Sequence, residues 1–145
     1  MVLVQTDLKA LQEEFDTIDD WEDRYRYVIE LGRSLPPLEM ALHNAANKVR
    51  GCASQVWIAS HLMDLDGRRI LTFTGDSDAL IVKGLIAIAF RIFSGKSPEE
   101  ILAIDEKAIL AELGLKDHLT PQRSNGFASM IARIKSDARG ALQLA

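Results

Sequence analysis

The stretch "SQVWIASHLMDLDGRRILTFTG", residues 54–75, decides the fold. Two runs of β-branched, aromatic and aliphatic residues flank Asp66-Gly67, a pair favoured in two-residue hairpin turns because both positions need positive φ. With that turn, Leu65 stands opposite Arg68, Met63 opposite Ile70 and Leu62 opposite Leu71. Strand side chains alternate, so Val56, Ile58, Leu62, Leu71 and Phe73 share one face, the expected core face. Trp57, His61, Met63, Ile70 and Thr72 share the other, which is mixed. A third short strand is expected through "NKVRG", residues 47–51.

Helical patterns lie on both sides of the hairpin. "TDLKALQEEF" spaces Leu8, Leu11 and Phe15 for one helix face, with Thr6 or Asp7 as the expected cap. In "DDWEDRYRYVIELG", Asp20 caps a helix with Trp21, Tyr25, Val28 and Ile29 in one stripe. Gly32 is expected to stop it in the left-handed conformation, and Pro36 and Pro37 cannot continue it. "DSDALIVKGLIAIAFRIFSG" is apolar almost all round, apart from a narrow stripe through Lys83, Ala87 and Arg91. Such a helix is largely buried and is expected to lie across the sheet. "SPEEIL" carries a capping box of Ser97 and Glu100 with Pro98 in the first turn. "DEKAILAELG" is a short helix stopped by Gly114. A last helix starts at Thr120-Pro121 and buries Phe127, Met130, Ile131 and Ile134. The fold class is therefore α+β: several α-helices packed with a small three-stranded antiparallel sheet.

A chain of 145 residues predicts one domain, spanning 1–145, with a core that needs no staples. The start "MVLVQTDLKA" turns polar too soon for a signal peptide, and a lone cysteine forms no disulfide framework, so a cytoplasmic setting is expected. Net charge is −4 and the 17 Lys and Arg are scattered, which gives no basic stripe for nucleic acid. The longest apolar run is broken by Lys83 and Arg91 and is too short to span a membrane. No exposed heptad or long edge strand demands a dimer, so a monomer or weak homodimer is expected.

The chemistry centres on Cys52. It could be a small buried hydrophobe, as free cysteines often are. A zinc site needs about four ligands, and one cysteine with three separated histidines, His43, His61 and His118, suggests none. A Cys–His hydrolase would need a base within reach of the thiol, and His61 falls on the opposite parity. Gly51 permits a sharp bend and close approach of another chain. Lys48 and Arg50 flank the site; facing the thiol they would lower its pKa, facing water they are solvated charges. In an extended chain from Cys52 to Val56 the sulfur faces the core side. Asp76, Ser77 or Asp78 can cap the apolar helix. Arg123 sits in a helix's first turn, where a cation is slightly unfavourable, and this hints at another task.

"GCASQVW" resembles the active-cysteine motif of the SufE/CsdE family, sulfur-acceptor proteins for cysteine desulfurases. "WEDRYRYVIELGRSLPPL", "NKVRGC", "GDSDALIVKGLIAI" and "HLTPQRSNG" resemble further family segments, in family order and over nearly the whole chain. Ala53 stands where the family often has glutamine or threonine. The resemblance implies a SufE/NifU-like fold of helices around a three-stranded sheet. It implies that Cys52 accepts sulfur from the persulfide of a desulfurase of the SufS/CsdA type, stimulates that enzyme, and passes the sulfur to an iron–sulfur scaffold of the SufBCD type. Pyridoxal phosphate would belong to the desulfurase, with no cofactor on this chain. It also places Asp78 and Arg123 near the cysteine loop, Asp78 to restrain it and Arg123 to steady the sulfur or contact the desulfurase. The alternatives are a stand-alone Cys-dependent hydrolase or transferase, and a module that activates a desulfurase without taking sulfur.

Overall fold

The computed structural model describes residues 4–52, 54–115 and 119–143. Its hairpin pairs β1 (Val56–Leu65) with β2 (Arg68–Ser77) in the expected register, from Leu65 opposite Arg68 to Val56 opposite Ser77. Asp66 and Gly67 both take positive φ, 53° and 79°, which matches the twist of the flanking strands. Val56, Ile58, Leu71 and Phe73 are buried as the alternation requires. Leu62, on the same face but near the hairpin tip, is exposed. Ile70 departs the other way: it is buried although it lies on the mixed face. The chain beyond the long apolar helix returns along this edge, where Leu71 and Lys96 form a bridge, and the following short helix packs beside β2.

The sheet has two strands among the described residues, not three. The segment expected as a third strand makes a single antiparallel bridge, Lys48 to Trp57. Val49 N–H donates to Val56 O and Ile58 N–H to Asn47 O, both at 2.8 Å. Pairing goes no further because a turn precedes Asn47 and Gly51 bends the chain away at φ 90°.

Six helices surround the hairpin among the described residues: α1 (Val4–Asp16), α2 (Trp21–Arg33), α3 (Leu80–Phe93), α4 (Pro98–Ala103), α5 (Glu106–Leu113) and α6 (Pro121–Leu142). A short 3-10 turn, Met40–Leu42, lies between α2 and β1. α1 begins at Val4, so Thr6 and Asp7 lie inside it and not at its N-cap position; the side chains of Thr6, Asp7 and Leu8 are outside the described residues. Leu11 and Phe15 are in the core. Asp20 caps α2 by accepting from Glu22 N–H at 3.1 Å. Ser97 and Glu100 form the capping box of α4, Thr120 accepts from Arg123 N–H, and Gly114 closes α5 in the left-handed region. None of Asp76, Ser77 and Asp78 is the N-cap of α3; that position is Ala79, without a side-chain bond. No described helix is long and apolar enough to cross a membrane.

Gly32 does not stop α2. It is helical and buried, and Ser34 is the C-cap. Its role is close approach: a Cβ there would stand 2.6 Å from Gly84 N and 2.8 Å from Lys83 C on α3. In return, a Cβ on Gly84 would overlap the carbonyl oxygen and Cγ1 of Val28. The buried stripe of α2 is accordingly Val28, Leu31 and Gly32, turned from the expected one toward α3. α3 is buried along most of its length, and Ala87 is buried too, although the sequence pattern places it in the polar stripe with Lys83 and Arg91.

Interiors this dense do not absorb an added methyl between two backbones, and overpacking costs about 1–3 kcal/mol. Gly84→Ala is expected to lower stability by about 3 kcal/mol and Gly32→Ala by about 2 kcal/mol, read from urea midpoints. Gly140 in α6 meets nothing within 4 Å, so Gly140→Ala should raise the midpoint by roughly 0.5–1 kcal/mol through helix propensity. Equal responses at Gly84 and Gly140 would mean that the crossing is not tight.

Candidate functional site

The cysteine loop is built by its two ends. Val49 and Val56 are tied by the 2.8 Å bond already described, so residues 50–55 must turn back within six positions. Gly51 makes the turn possible for two reasons. Its φ of 90° is rare for other residues, and a Cβ would stand 2.6 Å from Ser129 Oγ on α6. The second fastening is Asp78: its Oδ1 accepts from Gln55 N–H at 3.0 Å, and its own N–H reaches Gln55 O at 3.4 Å.

Between these fastenings, Cys52 packs against the edge of the core, half-buried. Its S–H donates to Gly126 O at 3.5 Å. Gly126 leaves room for the sulfur, since a Cβ there would already touch Sγ at 3.5 Å. The thiol opens on a cleft of about 150 Å³. Val82 and Leu85 of α3 and Met130 of α6 form its apolar wall, while Ser54, Gln122 and Arg123 supply polar groups. Burial pushes the Cys52 thiol up from its ordinary value, the direction expected when the charged form loses water. Lys48 and Arg50 are exposed, so they are solvated charges and leave the thiol's ionisation to burial.

The chain that places a lone thiol at a glycine bend, facing a cleft lined by α3 and α6, has relatives. The family model SufE, described as an Fe-S metabolism associated domain, matches residues 9–138. The chain belongs to the SufE family. An uncharacterized SufE-like protein of Rhizobium meliloti is 51% identical over 137 residues, covering 94% of this chain and 98% of that one. Another, from Rhizobium etli, is 47% identical over 137 residues, covering 94% and 93%. The solution structure of a hypothetical protein from Thermus thermophilus has a similar fold, with TM-score 0.74 and 22% identity over 94% of this chain and 96% of that one.

Within this SufE domain, the residues singled out in the sequence come together unevenly. Cys52 and Arg123 line one cleft, and Asp78 holds the loop from outside it. The Arg123 guanidinium has no hydrogen-bond or ion-pair partner among the described residues. The two described histidines are engaged elsewhere: His61 Nε2 bonds Thr74 Oγ1 at 2.9 Å, and His43 bonds Asp76 and Glu39. His118 lies outside the described residues. No group of three or more His, Cys, Asp or Glu among the described residues could hold a metal ion. Sequence reasoning missed Gly126 and Ser129. Their signal was the register of α6: Phe127, Met130 and Ile134 mark its core side, and Gly126 and Ser129 fall on the flank beside it.

His43, at the end of the Met40–Leu42 turn, closes a second cluster. Its Nδ1 faces Glu39 O at 3.0 Å and its Nε2 faces Asp76 Oδ2 at 2.8 Å. Both are acceptors, so only the doubly protonated ring satisfies both. The Trp57 ring lies edge-on at 4.9 Å, and Lys83 Nζ is 3.4 Å from Asp76 Oδ1. The hydrogen bond to Asp76 raises the His43 pKa above its ordinary value. At Asp76, burial would raise the carboxyl, but bonds from His43, Ser77 N–H and Lys83 together hold it below its usual range. The folded His43 value is the higher one, so its stabilisation is complete below about pH 6.5 and is lost as pH rises through the folded value. Asp76 acts in the opposite sense, stabilising above about pH 3.9 and losing that as pH falls through its lowered value. The gap in urea midpoint between the wild-type chain and His43→Gln should be widest near pH 6 and close toward pH 9. A gap constant over that range would show that the ring does not bind its proton more tightly when folded.

Proposed function

We propose that this SufE-family chain is a sulfur carrier whose working atom is Cys52 Sγ. The reading is carried by one observation: a single thiol, kept half-buried at a fastened loop, facing a cleft whose rim holds an arginine with no partner among the described residues. The donor is a cysteine desulfurase, of the SufS/CsdA type, carrying a persulfide on its own cysteine. The Cys52 thiolate attacks the terminal sulfur of that persulfide. The new Cys52–S bond forms as the donor's S–S bond breaks, and the donor cysteine leaves as a thiolate. The Cys52 proton passes to solvent or to the leaving thiolate, so nothing is oxidised or reduced overall. This step belongs to the class of thiol–disulfide exchange and needs one accessible thiolate, without a second cysteine on this chain. Unloading the donor frees it for another turnover, which is the stimulation expected of this partner. The sulfur then passes to an iron–sulfur scaffold of the SufBCD type, with the cluster as product. Pyridoxal phosphate is the desulfurase's, not this chain's.

The half-buried position suits such cargo. A persulfide exposed to small thiols is stripped by the same exchange chemistry, and the wall of Val82, Leu85 and Met130 limits their approach. Loading then requires Cys52 to leave Gly126 O, and the Asp78–Gln55 fastening is the restraint that holds it back. Arg123 is assigned to the anionic sulfur or to the desulfurase. Among the described histidines a Cys–His hydrolase finds no base, since His43 and His61 have other partners.

Intact mass decides the main point. After incubation with an active cysteine desulfurase and cysteine, without reductant, the protein should gain about 32 Da, one sulfur atom as a persulfide, which reductant removes. Cys52→Ala should gain nothing. If Cys52→Ser still stimulates the desulfurase fully while the wild type takes no sulfur, the chain is an activating module instead. Arg123→Ala should lower the acceptor rate or desulfurase affinity roughly tenfold, the scale of one lost charged hydrogen bond, without lowering the melting temperature.

A further inference from the structure

We propose that Arg133 is the positioning residue for Cys52: it clamps the open end of the one-bridge pairing and so sets where the thiol lands on α6. The inference rests on Cys52 being the working atom. In an antiparallel pair, directly opposed residues of one type exchange two hydrogen bonds. Asn47 and Ile58 stand in such a position, but only half of the exchange is made: Ile58 N–H donates to Asn47 O at 2.8 Å. The Asn47 N–H, which would return a bond to Ile58 O, donates to Asn44 Oδ1 at 2.9 Å instead. Arg133 supplies the missing donor. Its Nη2 reaches Ile58 O at 3.1 Å and Asn47 Oδ1 at 3.3 Å, while its Nε holds both oxygens of Asp137 at 3.0 and 3.1 Å. Both side chains are only 20% exposed, so the fork is held in place rather than waving in solvent.

The geometry of α6 connects this clamp to the thiol. Gly126, Ser129, Arg133 and Asp137 follow at intervals of three and four and share one helix face. Gly126 receives the Cys52 S–H, Ser129 abuts Gly51, and Arg133 grips Asn47. Residues 52, 51 and 47 are thus met in turn along one face, so the segment lies against α6 in reverse order. Asn47 is secured from its other side by donating Nδ2–H to Leu42 O at 3.1 Å. Without Arg133, the Ile58 carbonyl is an open strand-edge acceptor, and the 47–52 segment loses one of the restraints against shifting along α6.

Native-state alkylation tests this directly, because Cys52 is the only cysteine. With iodoacetamide, Arg133→Met should react roughly tenfold faster than wild type, the scale of one lost charge-assisted hydrogen bond. The pH midpoint of its alkylation should fall toward that of an exposed thiol as the sulfur leaves the cleft. Arg133→Lys, which keeps a donor at the edge, should fall between the two. A cooperatively melting Arg133→Met with the wild-type rate and midpoint would overturn the inference. If Arg133→Met does not melt cooperatively, Asn47→Ala decides: faster alkylation supports the clamp and the wild-type rate overturns it. The assay needs no desulfurase, so it separates the two readings. Faster alkylation in the variants with no persulfide on the wild type would remove the sulfur-carrier function and keep the clamp; a persulfide with unchanged alkylation would do the reverse.

Discussion

The α2–α3 crossing at Gly32 and Gly84 is the constraint on which the remaining structure hangs. Two backbones meet there with no Cβ between them. This closeness lets α3 sit deep enough to be buried along most of its length. It then presses on the hairpin from one side, where Phe73 and Phe90 stack at 5.7 Å, and on α2 from another. The first turns of the same helix continue past the core as the apolar wall of the cysteine cleft, through Val82 and Leu85. Position of the wall and packing of the core are therefore one property of the molecule.

The cysteine loop has a different character. Its ends are fastened firmly, by the Val49–Val56 pair and by Asp78 holding Gln55, while the thiol itself makes one long hydrogen bond. Releasing the sulfur breaks that bond and loosens the exposed Asp78–Gln55 fastening. Local opening of this kind draws on the low end of a protein's range of opening energies. The same burial that shelters the sulfur also raises the thiol's pKa, so at rest the site favours the unreactive form. Under the proposed function, reactivity comes when the sulfur meets water or a cation, and the partner's presence becomes the trigger.

Much of the architecture was legible in residues 54–75 and in the helix caps. A hairpin with Asp-Gly at its turn has one sensible register, and alternation then assigns its faces. Asp20, Ser97 with Glu100, Thr120 and Gly114 act within a few residues of themselves, so their roles survive any tertiary arrangement. The family resemblance, carried by segments from Trp21 to Gly126, also came from sequence, as did the choice of Cys52. Gly32 was misread for a physical reason: a glycine near a helix end looks the same whether it turns the chain left-handed or admits a neighbouring backbone. Ile70 was misplaced because alternation says nothing of what later covers an edge.

By itself, then, the sequence determined the local elements, the hairpin register, the family and the single thiol, since each depends on neighbours within a few positions or on a pattern along the chain. Only the tertiary structure decided the sign of the thiol's ionisation shift, the single bridge in place of a third strand, the His43–Asp76 pair, and the line of Gly126, Ser129 and Arg133 beneath the cysteine segment. These rest on contacts between residues as many as 86 positions apart. Burial, a missing strand partner and a shared proton are properties of what surrounds a group in space, and periodicity does not encode them.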